Sequence, residues 1–175
     1  MNFMYHSLDV AKFMVYCHIV RGKDITLSRL RILMYFLQMY WIFVTGSPCF
    51  SEKMYAWDIA PTEPTMYWYF RKKYKHYYIS AERNSGELLD DKARFVISTF
   101  VEQIWCYDTF SLEILAREQM PWVKNYCHYD TREIPVSDLR AFVSELSKKA
   151  KERDLCVCKY KKAGFKRLWK TLEDF

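Results

Sequence analysis

Apolar residues recur at helical spacing along most of the chain. Val10, Phe13, Met14 and Cys17 stand at i, i+3, i+4 and i+7, which is one face of a helix. Ser7 is placed to cap it, and Asp9 falls in its first turn, where the macrodipole favours an anion. Gly22 marks its end. Thr26 is the next N-cap, and Leu27, Leu30, Leu33, Met34 and Leu37 stripe a second helix. From Ile32 onward that helix is apolar almost all round, which predicts a central, buried position. Gly46 supplies its stop and Ser47-Pro48 a turn.

The pattern changes over residues 50–60. Lys53-Met54-Tyr55-Ala56-Trp57 carries no helical stripe and reads as a short extended piece, broken by Ala60-Pro61 and Glu63-Pro64. A third helix is expected over about Thr65 to Tyr74, aromatic and ending in Arg71, Lys72 and Lys73. A polar loop covers Ser80 to Gly86. A fourth helix starts near Asp90 and Asp91, with Ala93, Val96, Ile97, Phe100, Val101 and Ile104 at helical spacing. Asp108 caps a fifth through Leu112, Leu115 and Ala116, closed by Pro121, with a further turn over Trp122 to Tyr126. Ile134-Pro135 opens a sixth, striped by Leu139, Phe142, Val143 and Leu146. Beyond it lie an alternating stretch, Leu155 to Tyr160, and a short amphipathic helix with Phe165, Leu168, Trp169 and Leu172 on one face.

Composition fits this picture. The 175 residues are 51% hydrophobic and 18% aromatic, with only 4 Gly and 5 Pro. Such a chain buries a sizeable core, which excludes wholesale disorder. It also lacks the turn punctuation of a many-stranded sandwich or barrel. The fold class expected is mainly α: a compact multi-helix single domain over residues 1–146, with a short β element near residues 50–60 and a basic C-terminal extension over 147–175. The formal net charge of +6 belongs to that extension. Residues 147–175 hold ten basic and four acidic residues, whereas residues 1–146 hold 17 of each sign.

No secretory signal is visible. The most apolar stretch, Ile32 to Thr45, is interrupted by Gln38 and falls short of the ~20 residues that span a bilayer. A cytoplasmic protein without membrane association is expected. The cysteines Cys17, Cys49, Cys106, Cys127, Cys156 and Cys158 are accordingly read as mostly reduced and packed as small apolar side chains. Cys127-His128 and Cys156-x-Cys158 offer four zinc-type ligands, but not at a standard knuckle spacing, and no metal or other cofactor is assigned. His6, His18, His76 and His128 sit in no metalloprotease motif. No phosphate-binding glycine loop or nucleophile elbow is present. Catalytic residues are therefore not assigned, and the chain is read as a non-enzyme.

Two segments remain for binding. Arg71-Lys72-Lys73-Tyr74-Lys75-His76-Tyr77-Tyr78 interleaves cations with rings, a composition suited to phosphate contact and base stacking. It is equally that of a helix C-terminus whose tyrosines pack inward. The tail, with Lys161, Lys162, Lys166 and Arg167, is the other basic surface. Its apolar stripe docks either on its own domain or on a partner.

One ordered set of segments carries a family resemblance. Leu8 to Phe13, Ile25-Thr26, Leu30-x-x-Leu33-x-Tyr35-Phe36, Gly46-x-Pro48-x-Phe50, Tyr55-Ala56-Trp57 and Pro61, then Leu112 to Leu115, Pro121-Trp122 and Ile134-Pro135, together resemble the Panacea domain. This is the SocA-like antitoxin family, also met as phage-associated GepA-type proteins. The likeness covers roughly residues 7–146. The chain departs from the family's Gly-Pro at Ala60-Pro61, from its Leu-x-Lys-Leu at Leu30-Arg31-Ile32-Leu33, and from its Thr-His pair at Ala116-Arg117.

The resemblance implies a small helical cytoplasmic protein that neutralises a toxin protein by direct binding, and in the SocA type delivers it to a protease as an adaptor. The alternatives are a phage or mobile-element protein that inhibits a host defence factor, and a nucleic-acid-binding module using the tail. Trp and Tyr suit binding surfaces. The protein-interface residues expected are Tyr55, Trp57, Pro61, Tyr67, Trp68 and Tyr69, together with Phe165, Leu168, Trp169 and Leu172. At least half of Trp57, Trp68, Trp105 and Trp122 are expected to be buried.

Overall fold

The computed structural model describes residues 4–74 and 77–152. The expected 155–160 strand, the amphipathic helix with Phe165, Leu168, Trp169 and Leu172, and the basic positions Lys161, Lys162, Lys166 and Arg167 lie outside the described residues.

The apolar run in the second stripe becomes the axis of the molecule. After α1 (Ser7–Ile19), helix α2 (Leu27–Thr45) is buried continuously from Arg29 to Ile42. A helix apolar on every side can be stable only when it is enclosed on every side. The enclosing elements are α1, α3 (Pro64–Lys73), α4 (Asp91–Gln103), α5 (Thr109–Glu118) and α7 (Val136–Glu152), all of which pack on α2. The short α6 (Met120–Asn125) bridges α5 and α7. The result is a compact, mainly α fold. Among the described residues no helix is long and apolar enough to cross a membrane.

Short strands close the gaps. β1 (Ile25–Thr26) pairs antiparallel with β4 (Tyr78–Ile79). β2 (Met54–Ala56) is the middle strand between β3 (Pro61–Thr62) and β5 (Glu133–Ile134). Its register sets Tyr55 against Thr62 and Glu133, and Ala56 against Pro61. Pro61 thus occupies an edge strand, where a missing N–H is tolerated.

Helix boundaries follow local chemistry where the sequence carries it. Thr26, Asp90 and Asp108 each accept a backbone N–H as N-caps, and Gly46 ends α2 in the left-handed region at φ 76°. Three expectations need correction. His6, not Ser7, caps α1 through its ring nitrogen, and Ser7 is buried in the first turn. Pro121 opens α6 rather than closing α5, which has already ended at Glu118. Ile134 belongs to a strand, so the last helix begins after Pro135.

α7 runs without a break past residue 146 to Glu152. Cys17 and Cys49 are buried, Cys127 is half-buried and Cys106 exposed, and all four are free thiols. Trp57, Trp105 and Trp122 are only half-buried and Trp68 is exposed. Among the described residues the tryptophan in the core is Trp41, on α2.

Candidate binding cleft

The turn between β2 and β3 faces α3 across a cleft. It is lined by Ala56 to Ile59, Tyr67 and the turn Cys127–Thr131 ahead of β5. The volume is about 460 Å³. A second cavity of about 280 Å³ lies between the start of α2, α3 and β4, and is lined by Arg71, Tyr74 and Tyr77 among others. Arg31, Ile59 and Tyr67 line both, so the two adjoin at these three residues and together make up a trough.

One wall is aromatic. The rings of Trp57 and Tyr67 lie 5.2 Å apart edge to face, those of Tyr67 and Trp68 5.1 Å, and those of Trp57 and Trp68 6.1 Å. Trp68 nevertheless keeps 58% of its surface exposed, as does Ile59. Trp57 is held from behind, because the Trp122 indole N–H donates to its carbonyl at 3.0 Å. Trp122 in turn stacks on Tyr126 at 4.1 Å. Burial, with Asp58 beside it, raises the Tyr126 hydroxyl above the usual tyrosine range.

Arg31 is the buried charge of the trough, at 5% exposure. It projects from the first turns of α2, and its Nη2 donates to Glu113 Oε1 on α5 at 3.0 Å. Its Nε is sealed from solvent without an acceptor.

Not all expected interface residues meet here. Trp57 and Tyr67 do, and Trp68 packs against both rings without lining either cavity. Pro61 is buried in β3, so it offers no contact surface. Tyr55 is half-buried in the middle strand. Tyr69 faces elsewhere: its hydroxyl donates to Glu82 at 3.0 Å, and the ammonium groups of Lys12 and Lys73 lie over its ring. Lys73 bonds Glu82 and Tyr69, which raises its ammonium group above the usual lysine range, so it is committed to the fold. Arg71 and Lys72 stay exposed. Among the described residues no cluster of three metal-ligating side chains occurs.

Arg31, Ile59, Glu113 and residues 129–131 were not expected in a site, and Cys127-His128 stood out only as zinc-type ligands. One signal was legible: Arg31 is, with Arg29, one of two charged residues in a largely apolar helix, and such a residue is seldom buried unless paired.

Two family departures acquire a physical reading. Ala60 is fully buried and its φ is not positive, so an alanine fits there without backbone strain. Ala116 is fully buried on α5, so it fills core rather than presenting a polar group. Comparison with protein-family models, with curated proteins and with solved structures finds no match to this chain. The Panacea resemblance therefore stands on the quoted residues alone.

Proposed function

We propose that the chain is a non-catalytic, cytoplasmic, antitoxin-like protein that captures a partner protein in the trough between β2, α3 and α5. The observation that carries this reading is the cluster of Trp57, Tyr67 and Trp68 beside a cleft of about 460 Å³, with Trp68 58% exposed. A large ring left in solvent costs hydration free energy that a partner would recover. Trp, Tyr and Arg are also the residue types that dominate interface energetics, and all three line this trough. Neutralisation by binding needs no reacting group, only a surface that competes for the partner's own contacts. The ordered Panacea-like segments supply the class of partner, a toxin encoded nearby, with handover to a protease as a further step.

The test is co-expression with the product of the neighbouring gene, followed by affinity capture. The expected result is rescue of growth and co-purification, with Trp68→Ala weakening capture at least tenfold while leaving the thermal transition in place. Capture of a host protein instead would favour the defence-inhibitor form of the reading. No rescue and no capture would overturn it.

A further inference from the structure

We infer that the trough recognises an acidic side chain inside an extended segment of its partner, and that Arg31 is the group that holds its carboxylate. The inference rests on the binding reading above and specifies what is bound. Arg31 is more than nine-tenths buried and lines both cavities. Only Nη2 has a hydrogen-bond acceptor among the described residues, the Glu113 carboxylate. Nη1 has no acceptor among them and is not sealed from solvent, so it is the donor left for a ligand, whereas Nε is covered by the protein itself. A charge-assisted N–H···O bond from Nη1 to a carboxylate would satisfy that donor.

The rest of the trough argues for a side chain rather than a free anion or a chain end. Glu113 already balances Arg31, and Asp58 and Asp130 lie on the larger cavity. A dianion such as phosphate would meet that negative charge more strongly than a single carboxylate does. Arg71 lines the smaller cavity and favours the same sign. The two cavities adjoin at Arg31, Ile59 and Tyr67, so a segment laid across them would bring one acidic residue to Arg31. Trp57 and Tyr67 offer apolar surface to its neighbours.

The experiment uses the full chain and two blocked peptides, acetyl-Phe-Glu-Phe-amide and acetyl-Phe-Gln-Phe-amide, titrated by calorimetry. The glutamate peptide is expected to bind saturably and at least tenfold more tightly than the glutamine peptide. Arg31→Gln should abolish that preference. Because it also strands Glu113, which can unfold the protein, a second variant is needed. Ile59→Glu changes an exposed residue that lines both cavities. It should supply a competing carboxylate and reduce glutamate-peptide binding at least tenfold, with an unchanged thermal transition.

Equal affinity for the two peptides, binding of neither, or an undiminished preference in Ile59→Glu would overturn the inference. So would acetyl-Phe, with its terminal carboxylate, binding as tightly as the glutamate peptide. Partner capture that is unaffected by Ile59→Glu would overturn it while leaving the binding reading intact. Selective glutamate-peptide binding without any captured protein would do the reverse.

Discussion

Gln38 is the polar residue that breaks the apolar run of α2, and its amide ties that helix to the loop behind it. Oε1 accepts the Cys49 N–H at 2.8 Å and Nε2 donates to the Phe50 carbonyl at 3.0 Å, all of them buried. Gln38→Leu would leave a donor and an acceptor unpaired. At ~1–3 kcal/mol for each buried orphan, the expected loss is about 2–4 kcal/mol, read as a lower urea midpoint. The sequence marked Gln38 as the flaw in a membrane span. It did not show the partners, which lie eleven and twelve residues away across a turn.

His18 makes a second residue-scale prediction. It is fully buried, its Nδ1–H donates to the Met14 carbonyl at 2.9 Å, and Nε2 has no partner. Burial, with Arg29, Lys23 and Arg21 nearby, lowers its pKa from 6.5 to about 4. As pH falls below 6.5 the unfolded chain takes the proton first, so stability declines down to about pH 4 and then levels. The full loss is roughly 3 kcal/mol. His18→Asn keeps a donor for Met14 and should flatten this part of the pH profile in urea titrations. Neither the burial nor the three cations was legible from one histidine after a cysteine.

At the scale of elements, what could be read was what is local. A cap and the N–H it serves are two or three residues apart, which is why Thr26, Asp90 and Asp108 were identifiable. β5 was not, because its two residues mean nothing without β2, about 80 residues earlier. The loop before α4 shows the same limit. Gly86 has φ 92°, and a Cβ there would come 2.5 Å from the Phe13 ring of α1. Gly46 has φ 76° and open space around it. Gly46→Ala should therefore cost about 1 kcal/mol from the left-handed backbone alone. Gly86→Ala adds a steric clash with a core ring, for about 2–4 kcal/mol in all. Equal destabilisation of the two in chemical denaturation would contradict this account.

For the whole molecule, the sequence placed a boundary after residue 146, where the resemblance and the charge balance both end. The helix does not observe it. Leu146 is 2% exposed, Ser147 Oγ donates to the Val143 carbonyl at 2.8 Å, and Lys149 pairs with Glu145 at 2.9 Å. Periodicity located the helix up to Leu146, and Lys148, Lys149 and Lys151 beyond it carry the sign of charge favoured towards a helix C-terminus. Two truncations separate these descriptions. Ending the chain at residue 146 puts a carboxylate on a buried leucine at the negative pole of the helix, and should lower stability by ~1–3 kcal/mol. Ending it at residue 152 keeps the helix, while net charge falls from +6 to +2 because seven basic and three acidic residues go. Its thermal transition should stay within a few degrees of the full chain. Every described residue lining the trough lies between 26 and 131, so the 152 form should still bind the glutamate peptide and the captured partner. If it folds and binds the peptide but no longer captures the partner, recognition is shared with the tail, and the trough supplies only one of two contacts.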